Sequence, residues 1–206
     1  MKHLNQYINI RKRKSTIVPK KEKELTNIIL EEMRNFGNDV DLNHIDVSEM
    51  KSMFSVFNVF FHKEFVNFNG DISKWDVSNV YNMEYIFHGC ENFNGDISDW
   101  DVHNVVNFCG AFDHCKVFNC DISDWDTSKA SDMSTMFQFA DAFNQPIGKW
   151  NTDKVWVCDH MFFKATSFNQ DLSSWTFPLI YSNGNYGVFT DCPIKEEWKP
   201  KNKWLD

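Results

Sequence analysis

A five-residue phrase, Asp-Ile-Ser-x-Trp, returns at a fixed interval of 25 residues, and this regularity limits what the chain can become. It begins at Asp71, Asp96, Asp121, Pro146 and Asp171, with substitutions in the later copies. A weaker copy begins at Asp41 and carries about five extra residues before the next one. A globular core imposes no such interval. An array of repeats does, because each repeat must set the same side chain into the same slot of its neighbour.

The aromatic content, 20 Phe and 8 Trp in 206 residues, falls into this register. Phe68, Phe93, Phe118, Phe143 and Phe168 form one column. Trp75, Trp100, Trp125, Trp150 and Trp175 form a second, with Ile45 in the weaker copy. Phe57, Phe87, Phe112, Phe137 and Phe162 form a third, and Ile72, Ile97, Ile122, Ile147 and Leu172 an aliphatic fourth. Stacked, these columns make one continuous core, each buried ring contributing on the order of 2–3 kcal/mol. Asn69, Asn94, Asn119, Asn144 and Asn169 run beside them. They are expected to form an internal asparagine ladder that bonds the backbone of successive repeats at a buried corner.

Two aspartate columns, Asp71, Asp96, Asp121 and Asp46, Asp76, Asp101, Asp126, would bring like charges about 5 Å apart at strand spacing. That is repulsive unless each carboxylate has its own partner. Asp76-Val77-Ser78 and Asp126-Thr127-Ser128 have the form of Asx-turns, in which the carboxylate accepts the N–H two residues on. Calcium held between repeats is the alternative, but the Gly-Gly-x-Gly-x-Asp pattern of that class is absent, and no metal is assigned.

Within a repeat, 94–100 has the character of a short extended segment. Residues 79–90 place Val80, Met83, Ile86, Phe87 and Cys90 at intervals that suit a short helix. The expected fold is therefore α/β: a right-handed, leucine-rich-repeat-like solenoid with one short parallel strand and one short helix per 25-residue turn. An amphipathic helix over 20–36, with Leu25, Ile28, Ile29, Met33 and Phe36 on one face, follows Pro19, ends at Gly37 and is expected to cap the N-terminal end. The chain thus divides into a basic tail (1–18), a capping helix (19–40), the repeats (41–175, beginning at 41, 71, 96, 121, 146 and 171) and a degenerate last repeat with a C-terminal cap (176–206). In that last part Phe189 and Cys192 echo earlier repeats, Pro178, Pro193 and Pro200 stop the pattern, and Trp198 is the expected lid.

With these columns in place, the sequence resembles the BspA-type leucine-rich-repeat family in its mycoplasma-lipoprotein form. The family unit runs approximately Met-Phe-x-Gly-Ala-x-x-Phe-Asn-Gln-Asp-Ile-Ser-x-Trp-Asp-Val-Ser-x-Val-x-x-Met. Phe143-Asn144-Gln145, Phe168-Asn169-Gln170-Asp171-Leu172-Ser173-Ser174-Trp175 and Trp75-Asp76-Val77-Ser78-Asn79-Val80 match it, and the likeness covers about 41–192. The resemblance implies a solenoid without known catalysis. Members are commonly bacterial surface proteins implicated in adhesion and host binding, and copies occur in phage and viral genomes.

Charge narrows the function. Residues 1–40 hold nine Lys/Arg and five Asp/Glu, a balance of +4, so the rest of the chain carries −12 of the total −8. An acidic body repels phosphates and favours basic partners. Contact with nucleic acid is expected only through the run Arg11-Lys12-Arg13-Lys14. No stretch has the roughly 18 apolar residues of a membrane helix, and 1–14 lacks a signal-peptide core. Six cysteines without Cys-x-x-Cys spacing, most in apolar columns, suit reduced thiols and a cytoplasmic setting, with a surface or extracellular setting as the alternative.

No catalytic motif or cofactor loop is present, and His88, His103, His114 and His160 lie in different columns, so no enzyme is expected. The expected function is a non-enzymatic scaffold binding a protein partner through one face, with self-association as a further mode. A surface or secreted adhesin, or a phage- or virus-encoded structural or host-interaction protein, is the alternative. Partner-binding residues should be those that break the column rules. Tyr81, Val106 and Trp156 share one column with Ser131, and Tyr85 and His160 a neighbouring one with Gly110 and Thr135. Together Tyr81, Tyr85, Val106, Trp156 and His160 make the candidate stripe.

Overall fold

The 25-residue interval becomes a physical stacking of repeats. The structure, a computed structural model, describes residues 17–177 and 186–201. The Arg11-Lys12-Arg13-Lys14 run and Pro178 lie outside them. Along the first phenylalanine column, ring centroids follow at 5.8–6.0 Å with planes within 12° from Phe68 to Phe168. The third column continues from Phe57 through Phe87, Phe112, Phe137 and Phe162 to Phe189 at 5.1–5.7 Å. The two columns interlock inside each repeat, Phe87 on Phe93 and Phe112 on Phe118 both at 4.1 Å. Tryptophan needs one more contact, because a buried indole N–H must find an acceptor. Each indole donates to the aliphatic-column carbonyl of the repeat before: Trp100 to Ile72, Trp125 to Ile97, Trp150 to Ile122 and Trp175 to Ile147, at 3.0–3.2 Å.

The expected α/β architecture is not what these columns build. Among the described residues the only α-helix is α1, Glu22–Phe36, with short 3₁₀ turns at Lys63–Asn67, Ile147–Lys149 and Glu196–Trp198. Among the described residues parallel pairing is confined to isolated single-residue bridges such as Asn82 with Asn107 and Asn107 with Asp132, so they form no sheet and no strand-and-helix leucine-rich-repeat solenoid. The segment expected to be helical shows why. From Met83 to Gly89, alternate N–H groups donate to the next repeat: Met83 to Asn107, Tyr85 to Cys109, Phe87 to Ala111, Gly89 to Asp113. Of those between, Glu84 donates to the Asn82 side chain two residues back, and Ile86 and His88 donate three residues back. Tyr85 (φ 54°) and Gly89 (φ 78°) are left-handed, which a right-handed helix does not admit. Successive tight turns bring roughly every third residue inward and so imitate helical spacing. The segment expected as a strand is likewise a turn, with Trp100 donating to Ile97 and Ser98 to Asp96.

The Asx-turns are present and repeat down both aspartate columns. Ser78 donates both N–H (3.0 Å) and hydroxyl (2.6 Å) to Asp76, and Ser48, Ser73 and Ser98 do the same to Asp46, Asp71 and Asp96. The asparagine column also bonds between repeats, each side-chain oxygen accepting the N–H of the next Asn at 2.8–2.9 Å. It runs along the surface, however, exposed at Asn69, Asn94 and Asn119 and half-buried at Asn144 and Asn169, not in the buried corner expected of an internal ladder.

Helix α1 buries Leu25, Thr26, Ile29, Leu30 and Met33, and the Thr26 hydroxyl donates to the Val56 carbonyl of the first repeat. Gly37 (φ 94°) ends it by donating to Met33. At the other end Val188 and Ile194 are buried, and Trp198, half-buried, accepts the Leu172 N–H at 2.8 Å.

Candidate functional site

Two left-handed columns shape one flank of the stack. Ser55, Tyr85, Gly110, Thr135, His160 and Gly187 hold φ between 52° and 63°. Four residues later in their repeats, Gly89, His114, Phe139, Lys164 and Asp191 are left-handed too, with φ between 53° and 78°. Such a conformation costs a non-glycine residue about 1–2 kcal/mol. Here it turns neighbouring N–H groups toward the adjoining repeat, where they are bonded.

The expected binding residues meet this geometry in different ways. Tyr81, Val106, Ser131 and Trp156 form a continuous row, each N–H donating to the carbonyl of the residue before it in the row. Tyr81, Val106 and Trp156 are exposed there, but Tyr81 and Trp156 stand three repeats apart. Tyr85 and His160 are half-buried. The Tyr85 ring lies over Gly110, where a β-carbon would come within 2.3 Å of it, and the His160 ring lies beside Gly187. Burial pushes the Tyr85 hydroxyl up to about 12, with nearby Cys109 adding to the shift. The structure thus supplies one exposed row and a second, partly packed one, not a single aromatic stripe.

A more concave site lies where the first repeat carries its extra residues. Phe65 is fully buried against Phe57 at 5.4 Å and anchors the insertion, and Asn58, itself buried, accepts the Phe60 N–H on its side chain. Pinned at both ends, the insertion holds Phe60 and Phe61 outward, 81% and 60% exposed and edge-to-face at 5.3 Å. With Phe54 and Tyr85 they wall a pocket of about 390 Å³, whose polar lining includes His88, Asp113 and Gln138. Aromatic walls over a few convergent polar groups are the ordinary make-up of a ligand or partner pocket.

The three polar residues are equivalent positions of successive repeats, and register alone stacks them. Asp113 is 4% exposed. His114 Nδ1 lies 2.6 Å from one of its oxygens and His88 Nδ1 3.0 Å from the other, while Gln138 Nε2 donates to it at 3.3 Å. Burial pushes the Asp113 carboxyl up, but the His114 hydrogen bond and the close approach and charge of His88 and His114 outweigh it and hold the group below the ordinary carboxylate range. The Asp113 hydrogen bond in turn raises His114, against its partial burial. Sequence columns separate these histidines. What unites them is the left-handed turn at His114 (φ 60°), which brings its ring to Asp113. The insertion was the signal available for Phe60 and Phe61, since those residues break the 25-residue register.

Against known proteins, residues 23–122 and again 98–185 match the family described as "Mycoplasma protein of unknown function, DUF285". The chain belongs to this family. Both matches to DUF285 lie within 23–185, which takes in α1 and the repeats. The DUF285 match carries the mycoplasma-type repeat and does not extend to the narrower BspA-type leucine-rich-repeat identification. No curated protein and no solved structure matches this DUF285 chain. Among its described residues no helix is long and apolar enough to cross a membrane.

Proposed function

We propose that this DUF285 protein is a non-enzymatic interaction module that captures a protein partner on the flank bearing Phe60 and Phe61. The observation that carries the reading is the pair itself. Twelve large side chains, all Phe, are fully buried, whereas an insertion anchored by Phe65 and Asn58 holds two Phe rings in water. Each ring would contribute on the order of 2–3 kcal/mol if covered. An exposed aromatic pair beside a concave pocket has the make-up of a binding hot spot. Tyr81, Val106 and Trp156 lengthen the contact along the stack. The acidic body, −12 over residues 41–206, favours a partner whose rim is basic. The setting we propose is intracellular, a reading supported by the six cysteines, which form no disulfide and three of which are buried.

The test is affinity capture from the source cells with the wild type and with the double variant F60S/F61S, whose side chains leave the core untouched. The expected result is an unchanged melting temperature and loss of the captured protein. Tyr81→Ala with Trp156→Ala should weaken capture to a smaller degree. The same proteins captured by wild type and F60S/F61S would overturn the reading. A concentration-dependent shift in size that F60S/F61S abolishes would identify the partner as a second copy.

A further inference from the structure

The packing of Asp113 raises a question of protons. Two imidazole nitrogens face one buried carboxylate, each within 3.0 Å of a different oxygen. Like lone pairs at that distance repel, so the gap must hold either protons or a cation. One hydrogen bond is well formed, from His114 Nδ1. His88 Nδ1 is different. It is buried and 3.0 Å from Asp113 Oδ2, close enough for an ion pair, yet not aligned as a hydrogen bond. One donor atom from each of His88, Asp113 and His114 lies within 4.8 Å of the others.

We propose that His88, Asp113 and His114 form a binding site for one divalent transition-metal ion of the zinc class, with the remaining coordination position open toward the aromatic-walled pocket. Two imidazoles and a carboxylate are zinc-type donors, whereas calcium and magnesium select all-oxygen sets. Zinc bonds of about 2.0–2.1 Å require ligand atoms about 3.3 Å apart in a tetrahedral site. The present 2.6 and 3.0 Å separations must open by about 0.7 and 0.3 Å to reach that, while the widest spacing in the trio, within 4.8 Å, must close. On binding, the ion replaces the proton at each ligating imidazole nitrogen: in a neutral imidazole that proton moves through solvent to Nε2, and from an imidazolium it is released. Gln138, donating to Asp113 Oδ1, orients the carboxylate. His88 and Asp113 also line the pocket, so an incoming acidic or imidazole side chain would find the open position. The site stands on its own geometry and does not require the partner proposed above.

The test is titration of the reduced full-length protein with ZnCl2 alone by calorimetry, then with CoCl2 followed in the visible range. Two substitutions keep the backbone. H88Q introduces the side chain that Gln138 already has at the equivalent position of a later repeat. H114N uses a residue that tolerates the left-handed conformation of His114 (φ 60°). The expected result is one zinc per chain in the wild type, weakened roughly tenfold or more by each substitution and lost in the double variant. Cobalt should give d–d bands without a sulfur-to-metal charge-transfer band. No zinc uptake by the wild type, equal uptake by wild type and double variant, or a thiolate charge-transfer band placing the metal on cysteine would each overturn the proposal.

Discussion

Gly110 separates two causes that are usually confounded, backbone conformation and space. Its φ is +59°, and an added β-carbon would lie 2.3 Å from both Cδ1 and Cε1 of Tyr85. The equivalent positions Thr135 (φ 52°) and His160 (φ 55°) carry side chains in the same conformation, so conformation alone does not demand glycine. What demands it is the Tyr85 ring from the preceding repeat. Gly110→Ala should therefore cost about 1–2 kcal/mol for the left-handed backbone and about 1–3 kcal/mol for the overlap, together roughly 2–5 kcal/mol. In a Tyr85→Ser background the overlap is gone, and serine is already present at the equivalent Ser55. There the same substitution should cost only about 1–2 kcal/mol. The assay is equilibrium unfolding in urea, followed by tryptophan fluorescence, for the four proteins of the cycle. A loss on Gly110→Ala that is equal in both backgrounds to within about 0.5 kcal/mol would refute the reasoning.

Four further outcomes follow from the columns. Trp125→Phe removes one of two donors to the Ile97 carbonyl, which keeps the Trp100 N–H, and leaves a void in the tryptophan column, so it should cost about 1–3 kcal/mol. Asn119→Ala, at an exposed position where water replaces the lost acceptor, should cost less than about 1 kcal/mol in the same unfolding assay. Hydrogen bonds from the serine two residues on hold Asp46, Asp96, Asp121 and Asp171 below the ordinary carboxylate range, as the Asn43 side chain and Ser73 do for Asp71. Depressed pKa values contribute stability above the unfolded value of about 3.9 that is lost as pH falls through the folded ones. The melting temperature should thus fall as the pH drops below about 4; a melting temperature unchanged on acidification below that point would contradict the role of these turns. Burial pushes the Cys90 and Cys115 thiols well above the usual range and Cys158 up to about 12. An aromatic disulfide reagent at pH 8 should label these three only after denaturation, and equal rates for all six cysteines would count against the packing.

Much of the core was legible because periodic aromatics leave few arrangements. Trp100, Trp125 and Trp150 had to share an environment, and they do, down to the same carbonyl acceptor. The helix ahead of the repeats was legible from its apolar face and terminal glycine, and forms over Glu22–Phe36. The helix inside each repeat was misread because a chain of three-residue turns buries Val80, Met83, Ile86 and Cys90 at spacings a helix would also use. Only the sign of φ tells the two apart, and at Tyr85 or His114 no residue type announces it. The candidate site was hidden for the same reason. His114 joins Asp113 through a left-handed turn, and the outward Phe60–Phe61 pair sits where the register breaks.

By itself, the sequence determined that repeats of 25 residues stack in register, because each aromatic column can be buried only by its own copies above and below. The tertiary structure decided everything that depends on where backbone N–H groups go. Along residues 83–89 and their equivalents they go alternately back two or three residues and across to the next repeat, which excludes helix and sheet there, sets the left-handed positions, and thereby brings two imidazoles and a carboxylate together beneath an aromatic rim. That choice belongs to neighbouring repeats acting together, since no single repeat holds the partners for its own hydrogen bonds.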